Sequence, residues 1–139
     1  MNFSKGSKNW MTWCGTFLFD GLDPVSKDKV HMDLDITEDG TSFLMNRRRS
    51  VPKSNDAGME RMWGSVCIED EYLRLIVNKI SWIVMSWNGS ESGTRNYDEE
   101  NEEDKSLYGS RLILEAQIIE EFNSIEIEGM RLERVKSKL

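Results

Sequence analysis

The stretch KVHMDLDIT, residues 29–37, decides the fold of this 139-residue chain. Apolar side chains occupy every second position, and polar side chains occupy most of the positions between them. Because successive side chains of a β-strand point to opposite faces, this alternation predicts a strand with one buried and one solvated face. Asp39 and Gly40 follow at once, a pair typical of tight hairpin turns, and residues 41–46 return as the partner strand. The sequence therefore predicts a central β-hairpin.

Short β-prone segments continue on both sides of this hairpin. Gly64 interrupts one of them, which predicts a bulge or a close approach of two backbones. A polar turn at 69–71 separates two others, and residues 80–87 form a further strand or the bent continuation of the strand before them. The predicted strands are 10–19, 61–68, 72–79, 80–87, 107–119, 125–128 and 130–135.

The near-regular spacing of these segments indicates an all-β chain. Turn signals separate about seven to nine short strands, the pattern of a small antiparallel meander barrel or sandwich. Residues 112–122 also fit a helical stripe, so one helix near that position is the alternative. We therefore expect a single β domain over residues 1–139, with a flexible N-terminus at 1–9.

The charge balance limits the classes of partner. Lysine and arginine number 18 against 25 acidic residues, a formal net charge of −7. Nucleic-acid binding is not expected, because its affinity depends on an excess of cations. No apolar run reaches the roughly 18 residues of a membrane-spanning helix, and the N-terminus lacks the apolar core of a secretory signal. With only two cysteines, far apart in sequence, the chain is predicted to be cytoplasmic or nuclear, with no membrane span.

Two oppositely charged segments are predicted as loops. The basic loop, 46–59, contains RRRSVPK at 47–53, and the acidic mobile loop, 89–106, contains DEENEED at 98–104. Arginine forks pair well with carboxylate and phosphate groups, and an exposed tryptophan beside them is a good interface anchor. The two loops could also attract each other between copies of the chain, giving self-association. The predicted partner-binding residues are Arg47, Arg48, Arg49, Lys53, Arg61 and Trp63, and Ser50 fits a basophilic kinase site.

Catalytic chemistry is not expected. His31 is the single histidine, which leaves no histidine cluster for zinc and no converging nucleophile–base pair. Glu126 and Glu128 place two acids on one strand face, but alternating acids are ordinary on the solvated side of a strand. We therefore predict no catalytic residues, no bound metal and no cofactor.

The segments WCGTF at 13–17 and LERV at 132–135 lie at the two ends of the strand meander. In this plan the chain resembles calycin-type barrels, such as lipocalins and fatty-acid-binding proteins. The resemblance implies a barrel whose lumen carries a small apolar ligand. The strand alternation would line such a lumen with Met32, Leu34, Ile36, Leu73, Leu75 and Val77.

Two functional hypotheses follow from the sequence. The first is a non-enzymatic binding or regulatory protein that engages a macromolecular partner through the basic loop and an aromatic surface. The partner would be another protein or a second copy of the chain. The second hypothesis is the calycin-like carrier of a small apolar ligand, for which saturable quenching of tryptophan fluorescence is expected.

Overall fold

All regular structure in the computed structural model is β. The structure describes residues 14–51, 54, 56–86, 88–96, 113–119 and 123–135. Nine strands and no helix occur in these ranges, which confirms the predicted all-β fold and strand number. Of the alternative helix at 112–122, residues 113–119 form strand β7, and 112 and 120–122 lie outside the described residues. The strands are β1 Gly15–Leu22, β2 Lys29–Ile36, β3 Ser42–Val51, β4 Asp56–Glu69, β5 Tyr72–Ser86, β6 Gly89–Asn96, β7 Ile113–Ile119, β8 Ser124–Ile127 and β9 Met130–Arg134.

Eight of these strands close an antiparallel barrel. Strands β1 to β5 pair in chain order, and β5 then pairs with β7. β8 and β9 complete the ring, because β9 returns to β1 with Phe17 opposite Arg134 and Leu18 opposite Glu133. The remaining strand, β6, pairs with the far half of β5 outside the ring. Closure removes the exposed edges that an open sheet would present.

Apolar side chains from every strand of the ring fill its interior. Phe17, Leu34 and Met45 follow one another across β1, β2 and β3, and each is 0% exposed. The apolar positions of residues 29–37 are all buried, as their alternation predicts. The six residues predicted to line a lumen all belong to this packed core. Small barrels are commonly filled by their own side chains in this way.

A β-bulge divides the long β4–β5 hairpin. The register shifts between Trp63 and Gly64, which leaves Asn78 as an extra residue on β5. A methyl group on Gly64 would overlap the carbonyl oxygen of Ile76, so both the bulge and the close backbone approach are confirmed. β5 continues through the bulge as one strand. The extra residue changes the inward-facing positions of β5 from odd-numbered to even-numbered ones.

The structure corrects the two predicted loops. Residues 46–51 belong to β3 and 56–59 to β4, so the prediction of a loop over 46–59 is wrong for these residues. Of the residues between the two strands, only Ser54 is described. The acidic loop predicted at 89–106 begins with strand β6, and its remainder lies outside the described residues. The reason is the same in both cases, because backbone pairing to neighbouring strands outweighs the polar composition. The predicted flexible segment 1–9 also lies outside the described ranges.

Candidate functional site

The β4–β5 hairpin carries the sheet beyond the closed ring. In the described ranges, β7 pairs with residues 72–76 of β5, whereas β6 pairs with residues 79–86. Residues 46–51 of β3 and 56–63 of β4 join these two segments, and we call the four together the extension; residues 29–33 of β2 border it beyond β3. Its inner face continues the inward side of the barrel, and its outer face continues the outward side. The two faces carry different chemistry.

Arg47 forms ion pairs that connect the inner face to the end of the barrel. Its Nη2 lies 3.2 Å from Oε1 of Glu60 on β4, and its Nη1 lies 3.1 Å from Oε2 of Glu128 in the β8–β9 turn. The side chain is only 14% exposed. A guanidinium is suited to this position because its planar fork offers donors in several directions. One arginine therefore links strands that are far apart in the sequence.

Arg49 makes a second link, to the β1–β2 turn. Its Nη1 lies 3.1 Å from Asp23 and 3.2 Å from Asp28. The Asp23 carboxylate also accepts the backbone N–H groups of Val25 and Ser26. These backbone hydrogen bonds, with a smaller contribution from Arg49, lower the pKa of Asp23. Burial lowers the pKa of Arg49, but hydrogen bonds to Asp28 and Asp23 outweigh it and raise that pKa.

Because the pKa of Asp23 is lowered, the contribution of this residue to the stability of the fold should depend on pH. A carboxyl whose pKa falls on folding stabilises the fold above its unfolded pKa, here the ordinary value of 3.8, and loses this contribution as pH drops through the folded pKa. Asp23→Asn should therefore lower the urea midpoint at about pH 7, and this deficit should shrink once the pH falls below about 4. A deficit of the same size at every pH would contradict a lowered pKa of Asp23 in the folded protein.

A cleft of about 500 Å³ lies on the inner face of the extension. Its lining is mainly apolar and comes from β3, β4, β5 and β6. Trp82 is 36% exposed, and a methyl group on Gly93 would overlap its indole, so the ring lies against the β6 backbone. Gly58 of β4 pairs with Arg49 of β3 on one side and with Val84 of β5 on the other. Because it has no side chain, it leaves space at the centre of the sheet. The apolar lining residues of the inner face include Val51, Ile80, Trp82 and Val84.

The inner face carries as many acids as bases. The register places Asp56, Glu60 and Glu91 on it, together with Arg47, Arg49 and Arg95. The arginines of β3 also contact three carboxylates from the neighbouring turns. These acids leave the inner face with no excess of positive charge.

The outer face carries three cations and no acid from its own four segments, while Asp33 of β2 borders it and accepts a hydrogen bond from Nδ2 of Asn46 at 2.9 Å. Strand pairing places Arg48, Arg61 and Lys79 on the outer face. Every aspartate and glutamate of the four described segments points to the inner face. The Lys79 ammonium lies 5.0 Å from the ring centroid of Trp63. Nε of Arg61 donates a hydrogen bond to Oδ1 of Asn46 at 2.7 Å. A groove of about 460 Å³ runs beside these residues and is lined partly by Met59 and Ile83.

The predicted partner-binding residues therefore separate into two groups. Arg48, Arg61 and Trp63 share the outer face, whereas Arg47 and Arg49 are held on the inner face by carboxylates. Lys53 lies outside the described residues. Their role in binding a partner stays a prediction. Three consecutive arginines in a strand cannot all face the same side, because successive side chains alternate.

Ser50 lies in β3 and is half-buried. Lys29 of β2 and Ala57 of β4 lie opposite it on the two sides. A kinase would need this part of β3 to detach from its neighbours before it could bind the backbone. The phosphorylation of Ser50 stays a prediction.

Sequence reasoning did not identify the residues of the inner cleft. Trp82 and Val84 point into it only because Asn78 is an extra residue on β5. Gly58 and Arg95 come to the same face through pairing with β5. The sequence did contain one indication of this change. The alternating apolar residues are odd-numbered at Leu73, Leu75 and Val77 but even-numbered at Ile80, Trp82 and Val84.

Neither a metal site nor a membrane helix is found in the described part of the chain. No group of three or more histidine, cysteine, aspartate or glutamate side chains there is arranged to hold a metal ion. The described segments also contain no helix that is long and apolar enough to cross a bilayer.

Comparison with known proteins adds no relative. No protein-family model, no curated protein and no solved structure matches this chain.

Proposed function

We propose that the protein is a non-enzymatic binding protein that docks an acidic segment of a protein partner on the outer face of the extension. The observation that carries this proposal is the separation of charge. The chain has a formal net charge of −7, yet the four described segments of the extension place Arg48, Arg61 and Lys79 and no acid on the outer face, and Asp33 of β2 lies only at its border. Such a patch attracts and orients an acidic partner, although the molecule as a whole repels one.

The side chains between these cations suit a protein interface. Met59 is 39% exposed and Met85 is 48% exposed, and both lie on the outer face with the half-buried Trp63. Methionine, tryptophan and arginine are enriched at protein interfaces, and tryptophan often acts as an anchor. The groove beside Trp63 offers room for an apolar side chain of the partner. The partner segment would thus combine carboxylates with apolar residues.

A protein segment is favoured over a nucleic acid as the occupant. Affinity for nucleic acids increases with the number of phosphates that cations neutralise, and this face has three cations on an acidic molecule. Methionine and isoleucine side chains also occupy the surface between the cations. This composition suits a partner that buries apolar surface as well as charge.

Binding of a model peptide tests the proposal. The probe is a fluorescent peptide that alternates glutamate with leucine, and its control contains lysine in place of glutamate. We expect saturable binding of the acidic peptide only, weakened as salt rises from about 50 to about 500 mM. Arg48→Glu combined with Arg61→Glu should weaken binding about tenfold or more, because two attractive charges become repulsive.

A charge reversal on the other side of the barrel is the matched control. Arg131 on β9 is 44% exposed and lies 3.0 Å from Glu133, and Arg131→Glu should leave peptide affinity within about twofold. Equal binding by the double variant and the wild type would contradict the proposal. Tighter binding of an oligothymidylate would assign the face to nucleic acid. A dimer at low salt that the double variant abolishes would assign it to a second copy of the chain.

A further inference from the structure

We infer that the cleft on the inner face of the extension is a binding site for an uncharged, planar apolar molecule. The cleft measures about 500 Å³, within the range of about 300 to 1,000 Å³ found for small-molecule sites. It lies outside the packed core, since the six residues predicted to line a lumen do not line it. Most of its lining differs from that of the outer groove, although Met59, Trp82 and Ile83 line both.

The apolar surface of the cleft is arranged for a flat ligand. Trp82 lies on the backbone at Gly93, so its indole stays against the sheet. Ile80 and Val84 are the adjacent even-numbered residues on the same face of β5, and Gly58 leaves the neighbouring position of β4 without a side chain. A ring seated over Gly58 would lie beside Val84 of β5, with Arg49 of β3 on its other side, and Trp82 is the next inward-facing residue of β5 after Val84. Aromatic rings gain from such contacts in addition to the burial of their area.

Three cations, Arg47, Arg49 and Arg95, and two acids, Asp56 and Glu60, line the cleft, a mixture that gives neither an anionic nor a cationic ligand a strong advantage. Arg47 and Arg49, the two cations nearest to the barrel end, each lie between two carboxylates. An incoming anion would have to compete with these carboxylates for the guanidinium groups, and it would lie close to Glu60 and Asp56 on the same face. An apolar ligand has no such competitor, because it gains its affinity from buried area.

Gly58 provides a way to block the site without disturbing the sheet. A Cβ atom there would lie 3.6 Å from the carbonyl oxygen of Ile83 and 3.9 Å from Cγ2 of Val84, both ordinary contacts. Gly58→Leu should therefore fold like the wild type while its side chain fills the space for the ligand. Circular dichroism and the urea midpoint verify that the variant is folded.

The test uses two fluorescent probes with the same aromatic body. N-phenyl-1-naphthylamine is uncharged, and 1-anilinonaphthalene-8-sulfonate carries a sulfonate. We expect saturable binding of the uncharged probe at one site per chain, with weaker binding of the sulfonate. Gly58→Leu and Trp82→Ala should each weaken binding of the uncharged probe by about tenfold or more, through loss of the space and of contact area.

The outer-face variants are the controls for this site. Trp63→Leu and the combined Arg48→Glu and Arg61→Glu should bind the uncharged probe within about twofold of the wild type. This result would show that the probe binds the cleft without the outer-face residues. Either proposal can therefore be contradicted while the other still holds. Unchanged binding in Gly58→Leu, tighter binding of the sulfonate probe, or no saturable binding would overturn the assignment of the cleft.

Discussion

Gly64→Ala is expected to destabilise the barrel by about 4 kcal/mol, a loss that single substitutions reach only through backbone overlap or similar core defects. The added methyl group would overlap the carbonyl oxygen of Ile76 and lie 2.8 Å from Cε1 of Phe43. Phe43 is 3% exposed and belongs to the core, so neither neighbour can move into solvent. Relief requires β4 and β5 to separate at the bulge. Urea unfolding followed by tryptophan fluorescence measures the loss.

The same substitution at Gly58 is the control for Gly64. Both residues lie in β4 and face inward, but a Cβ atom at Gly58 has no contact shorter than 3.6 Å. Alanine there should be neutral or stabilising by up to about 1 kcal/mol, because it reduces the conformational freedom of the unfolded chain. If Gly64→Ala cost as little as Gly58→Ala, the two backbones would not be in close contact at the bulge.

The central hairpin could be predicted from sequence because its information is local. Residues 29–37 alternate apolar and polar side chains, and the turn at Asp39 and Gly40 follows directly. Burial in the structure follows the same alternation. The bulge at Gly64 was predictable for a similar reason, since glycine inside a strand leaves a position without a side chain. Local patterns therefore account for the strands and for one of their irregularities.

The two faces of the extension could not be predicted in the same way. Arg47 and Arg49 belong to a run of arginines that is typical of a solvated loop, and their partners Glu128 and Asp23 lie far away along the chain. Only the closed barrel brings these charges together. The inner cleft depends on the phase of β5 after Asn78, and sequence alone left open whether residues 80–87 continued that strand. Both features arise from long-range pairing.

Phe17→Ala is expected to cost about 3 to 5 kcal/mol, the range for truncation of a buried phenylalanine. Phe17 is 0% exposed and lies opposite Leu34 on β2 and Arg134 on β9. The Arg134 guanidinium lies 4.7 Å from the ring centroid and donates a hydrogen bond to the Cys14 carbonyl oxygen at 2.7 Å. Burial lowers the pKa of Arg134. The ring therefore supports both the core and the arginine at the β1–β9 seam.

Substitutions at Leu18 and Phe17 distinguish the contribution of core packing from that of pairing between β1 and β9. Leu18 is the next residue of β1 and is 37% exposed, so Leu18→Ala should change stability by no more than about 0.5 kcal/mol. Phe17→Leu keeps most of the apolar volume but removes the ring, and it should cost about 1 to 2 kcal/mol through the lost cation–π contact and imperfect packing. Because β1 and β9 pair through Phe17 and Leu18 in the described part of the chain, closure rests on a short seam. A cost below about 1 kcal/mol for Phe17→Ala would mean that the barrel closes without this contact.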